Sequence, residues 1–439
     1  VPDTRVGWSS VVGDPETGNV YALGVCGLFL CIDGKSGETI WSRPLHEELG
    51  FLSTYGGRTN FPIVHEGNVI VSAVFIGWGE MAKPNHRFLA LDKRTGEVVW
   101  FNGTTDLPDD TTYSAPALAV ISGVTSLVAG GGDGAIWSIQ PRTGKPNWSY
   151  GFSRRGLNVP PLVVGDLVFS GHSEEVWDPA SSKMGGVVGF QPEGQGALPT
   201  DKVLWRNDGM MCGKSAPVLL GDRVYIFEDG GALHILNAKT GEEIPLNIDR
   251  KIEKQIKFRN MRSNPLVADG KIYAVSEAGQ WLIARPDAEK GLDVVAFSGR
   301  DKQIDETYAS PIASHGRIYV TTMAGMYCLE DAAKEHGTAE VPAQPAETPA
   351  ADDPKPAQVQ VVPAEVLLRP GEQVKFTARL FNARGQFLRE EPYPLYSAKG
   401  SGNITPSGKY TAPEDAAHQA VYVTATVGDI EGVARIRVM

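Results

Sequence analysis

An all-β chain, folded as a propeller of repeated four-stranded sheets with a small β-sandwich behind it, is predicted by three recurring sequence elements. A short apolar strand follows a Gly-containing turn, a proline opens the strand before it, and a Thr-Gly or Ser-Gly turn leads into a strand ending in tryptophan. The composition agrees: 50 Gly, 30 Pro, 9 Trp and 13 Tyr in 439 residues suit many turns and many short strands.

The first element reads GNVYALG (18–24), GNVIVSA (67–73), GDLVFSG (165–171), GDRVYIF (221–227), GKIYAVS (270–276) and GRIYVTT (316–322), with a degenerate copy at 125–131. Each is a β-branched or aromatic run entered through a hairpin turn. The second element places Pro62, Pro116, Pro160, Pro217, Pro265 and Pro311 at the start of a strand, 44 to 57 residues apart. Proline there removes no ladder hydrogen bond. The third comprises CIDGKSGETIW (31–41), ALDKRTGEVVW (90–100) and SIQPRTGKPNW (138–148), while ILNAKTGEEIP (235–245) keeps the turn without the Trp. Gly37, Gly96, Gly144 and Gly241 supply the positive φ of these turns. Trp41, Trp100 and Trp148 present large flat faces for packing on the next repeat.

One period therefore gives four antiparallel strands in about 46 residues, and copies must stack because a single sheet cannot bury both faces. Radial stacking gives a propeller, and the period is too long for a linear β-solenoid. Seven copies are counted from WSSVVGD (8–14), the first strand, which lacks the proline. The last copy has no evident fourth strand, and Asp3 to Gly7 are expected to supply it and close a seven-bladed ring; residues before Val1 would instead allow eight blades. The chain begins without initiator Met or signal peptide, as a mature or trimmed product would.

The third element resembles the pyrroloquinoline-quinone (PQQ) repeat family, whose blades end in A-x-D-x-x-T-G-x-x-x-W. The match is strongest at 90–100, good at 31–41 and 138–148, partial at 235–245 and weak at 185–205, 279–296 and 325–337. The resemblance implies a PQQ-repeat propeller, WD40/YVTN-like in architecture, over residues 1–330. The family includes quinone-dependent dehydrogenases and also cofactor-free propellers that scaffold outer-membrane protein assembly. VGWSSVVGDPETGNVYALG and GGRTNFPIV also resemble secreted planctomycete-type propellers. The dehydrogenases carry adjacent cysteines over the quinone. No Cys-Cys occurs here, and no Glu, Asn and Asp set for calcium is identified, so no cofactor is expected; PQQ with calcium is the alternative.

Residues 331–356 are rich in Ala, Pro and Glu and are expected to form an extended spacer. Strand alternation returns in 357–439, and GNITPSGKYTAP resembles bacterial immunoglobulin-like domains of exported proteins. Of four cysteines, Cys26 and Cys31 lie on one hairpin, where free thiols are the simpler expectation and a disulfide the alternative.

Ligand sites in propellers lie at the channel mouth, before the first strands. The lead-in segments carry Arg58, Asn60, Tyr113, Asn158, Lys214, Arg262, Asn264 and Tyr308 at matching positions. Cations and amides so placed would hold a carboxylate or phosphate, or would satisfy backbone groups at the blade starts. The insertion at 172–186 offers His172, Glu174, Glu175 and Asp178, a spacing that matches no metal signature. No G-x-S-x-G, H-E-x-x-H or P-loop motif is present. A net charge of −11 argues against nucleic-acid binding, and no run of 18 apolar residues suggests a transmembrane helix. The expected function is a non-catalytic, exported scaffold for a protein or glycan partner. A PQQ- and calcium-dependent dehydrogenase and a channel binding a small anion or saccharide are the alternatives.

Overall fold

The computed structural model describes residues 9–52, 60–77, 83–106, 113–173, 183–247, 260–298, 304–333, 345–351, 354–415 and 418–439. Asp3 to Gly7, the expected closing strand, lie outside the described residues. Up to Glu330 the described residues form seven consecutive antiparallel sheets. Unit I holds Val12–Gly13, Asn19–Leu23, Leu28–Asp33 and Thr39–Pro44. Unit II holds Ile63–His65, Asn68–Phe75, Asn85–Asp92 and Val98–Asp106; unit III holds Ala117–Ile121, Val124–Gly130, Ala135–Ile139 and Pro146–Gly151. Unit IV holds Leu162–Val164, Leu167–His172, Gly186–Phe190 and Trp205–Asp208. Unit V has three strands, Val218–Leu220, Arg223–Phe227 and Leu233–Asn237, because Pro245 stands where the fourth would run and a single bridge, Leu236 to Glu243, remains. Unit VI holds Leu266–Ala268, Lys271–Val275, Trp281–Asp287 and Gly291–Phe297; unit VII has Ile312–Ser314, Arg317–Thr321 and Met326–Leu329. The weak sequence match at 185–205 and 279–296 therefore conceals two complete sheets.

The turn between third and fourth strands explains the repeat signature. Asp33, Asp92, Asn237 and Asp287 each accept two backbone N–H groups from the residues two and three positions on. Four residues after each stands a glycine, Gly37, Gly96, Gly241 or Gly291, at φ 70–76°. The tryptophan then reaches into the next unit. Trp41 Nε1 donates to the Lys93 carbonyl (3.3 Å), Trp100 to that of Pro141 (3.1 Å) and Trp205 to that of Ala238 (2.9 Å). Their rings lie on Gly96, Gly144 and Gly241, where a Cβ would come within 2.4–2.9 Å of the indole. Trp148 instead meets Phe190 edge-on at 5.9 Å. Trp100, Trp148 and Trp205 are buried, whereas Trp41 is only half-buried. All four cysteines are free thiols; Cys26 is exposed and Cys31 is buried against unit II.

The C-terminal strands form a separate core of Val361, Phe376, Leu380, Tyr410, Val423 and Ile436 between two main sheets. One sheet comprises Gln358–Val362, Thr377–Phe381 and Phe387–Glu391. The other comprises Glu365–Leu368, Ile430–Val438, Gln419–Val427 and Leu395–Lys399. This unit docks on the propeller. Ala364 N donates to Val98 O (2.6 Å) and Arg437 to Glu48 O (3.0 Å). Gln358 donates to Gln140 (2.9 Å) and Gln360 to Arg142 O (2.9 Å). Val362 joins the core shared by Ile70, Phe88 and Trp100. The expected free spacer is partly tied down: Glu347 pairs with Arg142 (3.1 Å), which also holds Glu66, and Thr348 N donates to Gly123 O (3.0 Å).

Replacing Trp100 by Ala should cost about 3–5 kcal/mol, because it opens a cavity and strands a buried carbonyl. Trp41→Ala should cost less, since its ring is only partly buried. Urea unfolding of the two variants measures the difference.

Candidate functional site

Adjacent lead-in segments lie side by side and are stitched together by short polar side chains. Asn158 Oδ1 accepts from Tyr113 N (3.4 Å), and Asn264 Oδ1 from Ala216 N (2.8 Å). Ser114 donates to Val159 O (2.9 Å) and Ser215 to Ser263 O (2.9 Å), each in the following unit. Asn60 is buried and donates to Ser72 Oγ (2.6 Å). These groups satisfy backbone and hydroxyl partners, as buried polar groups must.

Two of the cations at the mouth, Lys214 and Arg262, are paired. Lys214 Nζ lies 3.1 Å from Asp229, and Arg262 Nε donates to Glu277 at 2.6 Å. Arg262 also lies over the Tyr308 ring at 5.9 Å and is near enough to Tyr113 to interact electrostatically. Tyr308, 39% exposed, donates to Glu306 and Glu277. The Glu306 hydrogen bond and burial push its phenol up to about 12. Three predicted site residues from units III, VI and VII are thus brought together, while Lys214 sits with its own partner. Arg58 lies outside the described residues. The mouth is less cationic than its sequence suggested, because Asp229 and Glu277 follow the second strand and fold back beside the lead-ins. A signal for this exists: an acidic residue stands one or two positions before Gly in Asp133-Gly134, Asp229-Gly230 and Glu277-Ala278-Gly279.

An open pocket of about 590 Å³ is bordered by the first strands of units I and II and by Leu118 of unit III, with Val11, Val12, Phe61, Ile63 and Val64 completing an apolar wall. Its charged border is internally compensated, Lys93 lying 2.9 Å from Asp14 and 2.7 Å from Glu16. That network was not legible in the repeat, since the position of Lys93 is Gly34, Pro141 and Ala238 in other units.

His172 is buried at the end of a strand, edge-on to Phe152 at 4.7 Å, and neither ring nitrogen has a hydrogen-bond partner. The companions proposed for it, Glu174, Glu175 and Asp178, lie outside the described residues. Among the described residues no three His, Cys, Asp or Glu side chains converge as a metal site.

A series of antiparallel meanders, in which tryptophans of units I, II and IV rest on the glycine turn of the next unit, defines a PQQ-type propeller. A family model described as outer membrane protein assembly factor BamB matches residues 4–183 and 185–336, and the chain belongs to that PQQ-repeat family. Among solved structures, BamB from Moraxella catarrhalis is similar with a TM-score of 0.51 and 18% identity, covering 73% of this chain and 83% of that one. The WD40 repeats of RRP9 match at a TM-score of 0.44 and 10% identity, covering 72% of this chain and 88% of theirs. The computationally designed protein Ika8 matches at 0.43 and 12%, covering 74% and 97%. No curated protein sequence matches the chain.

Because Arg262 is paired, Arg262→Glu should place two carboxylates together and lower stability by about 1–3 kcal/mol, read from unfolding curves. Histidine burial sets a pH dependence. Burial depresses His86 to about 3, and burial, then Arg206, depresses His172 to about 4. The unfolded chain takes up these protons first, so stability is full above pH ~6.5 and falls below it, by up to ~1.4 kcal/mol per pH unit for each histidine. His172→Phe keeps the ring contact without the titrating group. Its melting temperature should fall less than that of the wild type between pH 7 and 4.5.

Proposed function

We propose that this protein is an exported, non-catalytic scaffold that docks a protein partner on the faces and loops of a seven-bladed propeller, with its immunoglobulin-like sandwich serving attachment. The observation that carries the reading is the assembly-factor family match across the whole repeat region. The mouth supports it: Lys214 and Arg262 are paired with carboxylates of their own blades and Asn264 bonds the neighbouring one, which leaves the exposed loops and tyrosines as recognition elements. A quinone with calcium needs an oxygen cage of carboxylates and amides. Asp229 and Glu277 are instead held by Lys214 and Arg262, which favours the scaffold over that reading.

The test places a photo-crosslinking benzoylphenylalanine at Tyr308 or Met323, near the mouth, and at Arg94 on the opposite end, in the living bacterium. A discrete adduct with one protein, formed from one end and not the other, is expected. Absence of any adduct at all three positions would overturn the scaffold reading. So would dye-linked oxidation of alcohols or aldoses by the purified protein supplied with PQQ and calcium.

A further inference from the structure

Residues 345–351 run between unit III and the sandwich and touch both. Glu347 sends its carboxylate to the Arg142 guanidinium of unit III, Oε1 lying 3.2 Å from Nη1 and Oε2 3.1 Å from Nη2. Its Oε1 also accepts from Thr125 N (3.4 Å). The next residue is held by its backbone. Thr348 N donates to Gly123 O (3.0 Å), and Thr348 O accepts from Gln386 Nε2 of the sandwich (2.7 Å). Asn382 aims Gln386, donating to its Oε1 (2.7 Å) and accepting from its backbone N–H (3.0 Å). Gly123 stands under Thr348, where an added Cβ would come within 2.9 Å of the Thr348 Cβ and closer still to its hydroxyl. A forked cation for a carboxylate, a donor and an acceptor for the backbone, and a glycine that leaves room for the following side chain are the parts of a peptide-recognition site.

The segment is held lightly, and the seat does not need it. Glu347 is half-buried, while the residues on either side of it are exposed. A surface ion pair and a few hydrogen bonds weigh little against lost chain freedom. Pro345 and Pro349 offset part of that loss by stiffening the chain, and Thr348, standing before a proline, is confined to extended conformations. When the segment leaves, Arg142 keeps a partner, because its Nε and Nη2 donate to Glu66 at 2.8 and 2.6 Å. No buried cation is stranded, and the guanidinium stays aimed. The sandwich keeps its own attachments through Gln358, Val362 and Ala364.

We propose that this seat is a binding site for an extended, acidic partner segment, and that residues 345–351 are its built-in, exchangeable occupant. The segment it takes carries a glutamate followed by threonine and proline. The carboxylate docks on Arg142, and the threonine backbone spans from Gly123 to Gln386. A tethered occupant competes at a high local concentration, so the seat opens to a partner that outbinds it or draws the tether away. This deepens the scaffold reading and rests on it, by naming one docking seat and the chemistry of the segment it accepts.

The probe is fluorescein-labelled PAETPAA, the chain's own residues 345–351, with binding to the full chain followed by anisotropy. Glu347→Ala should release the tethered copy and bind the peptide saturably, at least tenfold tighter than the wild type does, with an unchanged melting curve. In that background Arg142→Gln should weaken binding at least tenfold. Gly123→Asn, which tolerates the left-handed turn while blocking Thr348, should do the same. So should glutamine in place of the peptide's glutamate. The Gly123 and peptide changes decide the matter if Arg142→Gln fails to fold. No binding by Glu347→Ala, or binding indifferent to the peptide's glutamate, overturns the proposal. Equal affinity of wild type and Glu347→Ala overturns the built-in occupant. None of these outcomes bears on the cross-links at Tyr308 and Met323, so failure here is distinct from failure of the scaffold reading.

Discussion

The tryptophan that crosses from one sheet to the next is the contact on which the propeller depends. An indole offers a broad apolar face and a single donor, and here both are used against the same turn: the N–H meets a carbonyl and the ring lies flat on glycine. The turn glycine thus answers two demands at once. Its φ is positive, which most residues resist, and its missing side chain is the space that the neighbouring ring fills. A sheet so anchored at its outer strand has its angle to the next sheet set, and the first strands are then brought together around the channel.

Around the channel mouth the same economy governs polar groups. Serine side chains in one lead-in meet backbone groups of the next and Asn264 meets one of the preceding lead-in, so these blades are completed by their neighbours. Charged residues follow suit, with Arg262 and Lys214 neutralised by carboxylates from the turn after the second strand. Side chains committed in this way define position more than affinity. The groups left with exposed surface are Tyr308 and the loops beyond it.

The repeat was legible because its signature is local. Asp or Asn, glycine four residues on, and tryptophan four further report one turn and one packing contact, and Asp287 with Gly291 would have revealed unit VI by that spacing alone. Trp205 was overlooked because residues 191–204 interrupt the approach to it, although it docks on Gly241 as its counterparts do. The mouth residues were legible as positions but not as chemistry. Whether Arg262 is free or paired depends on Glu277, fifteen residues later and on a different turn. The docking of the C-terminal sandwich was invisible for a similar reason. Gln140, Gln358 and Gln360 are ordinary polar residues until folding sets them against one another.

That docking gives the molecule a sidedness that a ring of similar blades would lack. Contacts from Glu48, Val98, Gln140 and Arg142 place the sandwich along units I to III. The rim of units IV to VII carries no such appendage among the described residues, so rotational equivalence between blades is broken. A body arriving edge-on can approach from one half of the circumference, and its orientation relative to the channel is set before it makes contact.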